Sequence, residues 1–187
     1  MKEYPLIDVK RSLQLKEKVL DSSLFTYNCP NCGYTTLVAY DCLYVDKDKK
    51  LMIRLGKDRH DLTCNNDGGF TLRTVSDPNE LVEKILLFDL GLDDRAVELE
   101  KHIAIDALHT QQPDLEVSAL YFSPAEDGYQ LIILGNGGFE GTIPWDSNLY
   151  EKIVEEVLPG LPEAVMEGPG INQDWAQLLF DSLSEEE

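Results

Sequence analysis

No stretch of this sequence approaches the roughly 20 apolar residues that a bilayer-crossing helix needs. Apolar runs such as Leu131-Ile132-Ile133-Leu134 are only strand length. The first residues, Met1-Lys2-Glu3-Tyr4-Pro5, carry none of the apolar core of a secretory signal. The expectation is therefore a cytoplasmic protein with no membrane partner. Positive charge is scarce: 16 Lys and Arg stand against 35 Asp and Glu, a net of −19. A surface of that sign repels phosphate backbones, which argues against nucleic acid as a partner. Catalytic signatures are missing too. No serine sits in a Gly-x-Ser-x-Gly elbow. The one glycine-rich run, Gly135-Asn136-Gly137-Gly138, lacks the following lysine of a phosphate loop and reads as a hairpin turn.

Enough apolar material is present for a real core. Hydrophobic residues make up 43% of the 187, and aromatics 9%. Charge is unevenly spread. Residues 1–60 hold 11 Lys and Arg against 8 Asp and Glu, a net of +3. Residues 61–187 hold 5 against 27, a net of −22. The acidic part reads first as a solvated surface, and otherwise as a face that docks on a basic partner.

Local patterns give a fold class. Residues 12–20 have the spacing of a short amphipathic helix, with Leu13, Val19 and Leu20 apolar. Leu24–Tyr27 and Tyr34–Tyr44 read as strands, and Leu51–Leu55 returns after the polar turn Asp46-Lys47-Asp48-Lys49-Lys50. Together they predict a β-hairpin emerging directly from residues 29–33. Residues 56–69 are polar and end in Asn65-Asn66-Asp67-Gly68-Gly69, the best internal boundary. After a strand at 70–75, Asp77-Pro78 with Glu80 announces a helix that Gly91 stops. A second helix runs from Asp93 or Asp94 past Leu108. Strands follow at 115–122, 129–134 and 140–144, then helices at 149–158 and 171–183. Segregated runs of strands and helices mark an α+β protein. The expected domains are a knuckle-and-hairpin module over 1–69 and an acidic α+β domain of antiparallel strands and about four helices over 70–187.

Four cysteines are present: Cys29, Cys32, Cys42 and Cys64. In a reducing compartment they suit metal binding or burial better than disulfides. Cys29-Pro30-Asn31-Cys32-Gly33 is a knuckle: two thiolates converge from a tight turn, backbone amides can donate to the sulfurs, and Gly33 permits the turn. A structural zinc takes four ligands, and a paired knuckle is the stronger signal. His60-x-x-x-Cys64 has ligand spacing and would complete a Cys₃His set. Cys42, among Tyr40, Leu43 and Tyr44, reads as a small buried hydrophobe.

From about Ile7 the chain resembles the CpXC domain family of bacterial and archaeal proteins. The resemblance rests on Leu15-Lys16-Glu17-Lys18-Val19-Leu20, on Leu24-Phe25 leading into Cys29-Pro30-Asn31-Cys32-Gly33, on Leu43-Tyr44 with Asp46, and on Met52-Ile53. It continues more weakly through Gly91-Leu92-Asp93-Asp94-Arg95-Ala96-Val97-Glu98. It implies a zinc-ribbon-like module and names no reaction. The family carries two Cys-Pro-x-Cys-Gly motifs, and only the second is found here. The expectation is a degenerate knuckle whose zinc site is incomplete in this chain.

Three histidines offer one further cluster. His102, Asp106 and His109 fall on one helix at spacings that suit a metal, or simply a polar helix surface. Glu98, Glu100 and Asp106 read as solvated helix faces. Trp145 and Trp175, with Tyr121, Phe122, Tyr129, Phe139 and Tyr150, suit core packing or a groove. Three functions remain. The first is a non-enzymatic binding or adaptor protein, whose partner is another protein. The second is a metal-dependent enzyme using His102, Asp106 and His109. The third is a zinc- or redox-sensing regulator. The lack of any nucleophile–base or paired-carboxylate pattern favours the first.

Overall fold

The computed structural model describes residues 3–56, 68–162, 166 and 168–184. Two compact units divide the chain: Met1–Leu86 with Gly168–Gly170, and Leu87–Glu167 with Ile171–Glu187.

The first unit holds β1 (Leu6–Asp8), α1 (Leu13–Leu20), β2 (Thr26–Asn28), β3 (Thr35–Leu37), β4 (Cys42–Asp46), β5 (Leu51–Leu55) and β6 (Thr71–Val75). Its main sheet has the order β1-β4-β5-β6. The β4–β5 pair is antiparallel, and the two outer pairings are parallel. Strand β5 alternates as the period of two requires, burying Leu51, Ile53 and Leu55. Asp46 Oδ1 closes the β4–β5 turn by accepting the Asp48 and Lys49 N–H groups, each at 3.2 Å. Residues 168–170 return to this unit, where Pro169 O accepts the Thr74 N–H at 2.7 Å.

The run Tyr34–Tyr44, expected as one strand, is two. Strand β3 pairs with β2 in a separate two-stranded sheet, and β4 pairs with β1 and β5. Competing partners split it. The Val38 N–H donates to Phe25 O at 2.8 Å, closing the β2–β3 ladder. The Leu43 N–H donates to Pro5 O at 2.9 Å, opening the β1–β4 ladder. The knuckle hairpin and the β4–β5 hairpin are therefore distinct. Helix α1 forms as expected, with Val19 buried, but Leu13 is exposed on its first turn.

Helix α2 (Pro78–Leu90) starts where the capping pattern places it. Asp77 Oδ1 accepts the N–H groups of Asn79 (2.7 Å) and Glu80 (3.2 Å). Glu80 reaches back to the Ser76 N–H (2.6 Å), one residue ahead of the cap. Gly91, at φ +72°, ends it in a left-handed conformation that a side chain would strain.

The second unit is built around α3 (Asp94–Gln111), capped by Asp93. One face packs on a three-stranded antiparallel sheet of β7 (Ala119–Ala125), β8 (Gly128–Gly135) and β9 (Gly138–Pro144). Val97, Ile105 and Leu108 meet Leu120, Phe122, Leu131 and Ile133 there. The opposite face meets α4 (Ser147–Lys152), its wider continuation through Ile153–Val157, and α5 (Gln173–Ser184). Ala96 and Leu99 meet Ile153, Leu158, Ala176 and Leu179. Strand β7 begins at Ala119 rather than at Leu115. Trp145 and Tyr150 pack against the sheet core, and Trp145 meets Phe122 edge to face at 4.9 Å. Mixed and antiparallel sheets with segregated helices make the fold α+β, with N-terminal hairpins. No helix among the described residues is long and apolar enough to cross a membrane.

Candidate metal centre

The β2–β3 hairpin carries the knuckle in its connection. Ladder pairs Thr26↔Leu37, Tyr27↔Thr36 and Asn28↔Thr35 bring residues 28 and 35 opposite one another. The Thr35 hydroxyl donates to Asn28 Oδ1 at 2.6 Å. Two backbone bonds then fold the loop: the Cys29 N–H to Tyr34 O at 2.8 Å, and the Gly33 N–H to Cys29 O at 2.9 Å. Gly33 takes φ +71°, with open space where a Cβ would stand. The glycine is needed for its backbone conformation rather than for room.

This turn aims amide groups at a sulfur. The N–H groups of Asn31 and Cys32, and then the Cys32 thiol, hold the Cys29 thiol below its ordinary range. Donors that favour the thiolate prepare it as a metal ligand. Cys29 is half-buried and Cys32 exposed. The pair supplies two soft sulfur donors from one turn, half of the tetrahedral set a zinc takes. Among the described residues, no group of three or more His, Cys, Asp or Glu forms a metal site. His60 and Cys64, which would add the other two ligands, lie outside the described residues.

The remaining thiol behaves differently. Cys42 is buried in β4, and desolvation, with Asp41 nearby, pushes it up to about 12. It is a packing residue, as its neighbours in the sequence imply.

His102, Asp106 and His109 do not gather into one site. His102 is buried, its ring 4.4 Å from that of Phe180. Its Nε2 lies 3.6 Å from Asp106 Oδ2, while His109 is exposed on the last turn of α3. Glu98 and Glu100, expected on a solvated face, are buried. Packing on two sides of α3 explains this, and Glu98 Oε2 pairs with Lys101 Nζ at 2.9 Å.

A family model described as "CpXC protein" matches residues 1–101, more than half of the chain. The chain belongs to the CpXC family. The match spans the main sheet, the knuckle hairpin, α1, α2 and the start of α3. Comparison with curated proteins and with solved structures gave no match.

Proposed function

We propose that this CpXC protein is a non-enzymatic binding protein that engages another protein through its knuckle hairpin. One observation carries the reading. The β2–β3 hairpin forms its own small sheet and exposes Tyr27, Tyr34 and Leu37 beside Cys32. Tyr34 is 68% exposed. Tyr27 stands on one face of this ladder and Leu37 on the other, with Tyr34 in the connection, and exposed large side chains of this kind are characteristic of contact surfaces. A zinc on Cys29 and Cys32 would rigidify that turn, with further ligands from His60 and Cys64 or from the partner. Site-specific photo-crosslinking tests the reading. A crosslinker at Tyr34 is expected to trap one defined protein, while one at Glu126 traps none. Purified partner should then bind the chain and fail to bind Tyr34→Asp. Equal labelling from both positions would reject the proposal. If the trapped protein is a second copy of this chain, the partner is the chain itself.

A second reading has its own support. The lowered Cys29 thiol beside an exposed Cys32 suits a zinc- or redox-sensing turn. Thiol alkylation, followed with and without added zinc, tests it. Two thiols that react at the rate of a free peptide cysteine and ignore zinc would remove it.

A further inference from the structure

One stripe of α3 leads to a site the knuckle does not use. Glu100, Ile103, Ala104, Ala107, Leu108 and Gln111 recur at helical spacing, so they share one face. That face looks toward Leu131 of β8, Ile143 and Pro144 of β9, and Asp146 and Leu149 at the start of α4. Leu131 and Ile143 are cross-strand partners, so their side chains stand on the same side of the sheet. Ala104 and Ala107 are short where the neighbouring positions are long. The gap they leave is an open-mouthed cavity of about 260 Å³. It is somewhat smaller than the roughly 300–1,000 Å³ of sites for drug-sized ligands.

Its wall is apolar except for a few groups, of which two are carboxylates. Glu100 is 3% exposed. Its Oε1 accepts the Asp146 N–H at 3.1 Å. Its Oε2 is buried with no hydrogen-bond partner among the described residues. A buried carboxylate oxygen without a donor is costly, and packing alone gives no reason to keep it. Asp146 Oδ1 caps α4 by accepting the Asn148 and Leu149 N–H groups, each at 3.1 Å. Among the described residues, no lysine or arginine lines the cavity. An acidic ligand would thus meet like charge with nothing to offset it. A hard metal ion needs six or more oxygens, and this wall is mostly carbon.

We propose that this cavity binds a small apolar amine, its ammonium donating to Glu100 and facing Asp146, its body against Ile103, Leu131 and Ile143. The ammonium brings a donor and a positive charge to a buried carboxyl group whose Oε2 has no partner among the described residues. The apolar body fills the volume above the two alanines. Four probes separate the contributions: benzylamine, benzyl alcohol, benzoate and methylamine, each titrated into the full chain at about pH 8, where Glu100 has given up its proton, and followed by methyl NMR. Benzylamine is expected to shift the Leu131 and Ile143 methyls. Benzyl alcohol, without the charge, should bind about tenfold to a hundredfold more weakly. Benzoate and methylamine should leave those methyls unmoved. Glu100→Gln should weaken benzylamine to the level of the alcohol and leave the alcohol unchanged. Ala104→Leu, which fills the wall, should abolish both. The proposal fails if amine and alcohol bind alike, if methylamine reproduces the benzylamine shifts, or if Glu100→Gln keeps the amine's affinity. Should Glu100→Gln not fold, the four probes on the unmodified chain still decide.

Discussion

Glu100 is the residue whose setting departs most from its sequence neighbourhood. It lies among Glu98, Lys101 and His102, which as text look like a polar face. The fold buries all four. Desolvation raises the Glu100 carboxyl to about 7; the hydrogen bond from the Asp146 N–H opposes this, and the Asp146 charge adds to it. A carboxyl that holds its proton more tightly in the folded than in the unfolded chain stabilises the fold below the ordinary carboxyl range. That contribution is lost as pH rises through about 7. Glu100→Gln removes the titration. Its stability relative to the parent chain should improve between pH 5 and pH 8, by on the order of 2–3 kcal/mol. Urea melts of both proteins across that range check the slope. A difference that stays flat would place the Glu100 proton elsewhere. Cys29 is another perturbed group, and there the sequence was informative. The Cys-x-x-Cys-Gly spacing itself places amides at the sulfur, and the structure holds the Asn31 and Cys32 N–H groups there.

At the scale of elements, punctuation was legible and partnership was not. Asp77, Pro78, Asp93 and Gly91 each mark a helix end that the structure keeps, because a cap is a local bond. Gly91→Ala should destabilise by about 1–2 kcal/mol, since a Cβ at φ +72° is strained although nothing occupies its space. Thermal or urea unfolding of the variant measures this directly. The turn at Gly135-Asn136-Gly137-Gly138 was legible for the same reason. Strand β1 was not: three residues carry no readable period, and its partner β4 lies more than thirty positions away. The break between β3 and β4 was hidden because Tyr34–Tyr44 is β-prone throughout, and only its two sets of partners divide it. Phe25 fixes one side of that break. It is fully buried, its ring lies 5.3 Å from that of Tyr40 at a tilt of 43°, and its backbone carbonyl accepts the Val38 N–H. Phe25→Ala should cost about 3–5 kcal/mol and loosen the hairpin with it. Hydrogen exchange at the Val38 and Cys29 amides would report that loosening, and unchanged protection would uncouple Phe25 from the knuckle.

The whole molecule carries a net charge of −19. Mutual repulsion at that charge opposes compactness and is screened by salt. The melting temperature should therefore rise with sodium chloride from about 0.01 M toward about 0.15 M, where the screening length shortens from roughly 30 Å to 8 Å. A fall over that interval would mean that attractive surface pairs dominate. The same charge predicts no retention of DNA or RNA at low salt, measured by fluorescence anisotropy. Half of the candidate site was legible at this scale. Residues 29–33 announce a knuckle, whereas the exposure of Tyr27, Tyr34 and Leu37 around it follows only from the separate two-stranded sheet. The stripe on α3 was visible as spacing, but its cavity depends on what the sheet leaves opposite Ala104 and Ala107.

The central proposal is that the knuckle hairpin is a contact surface whose turn a metal on Cys29 and Cys32 would rigidify, and cobalt(II) titration of the full chain tests that metal site most directly. The account predicts a thiolate-to-cobalt charge-transfer band that added zinc displaces and that Cys29→Ser and Cys32→Ser each remove. A chain that develops no such band, or one whose band survives both substitutions, would contradict it.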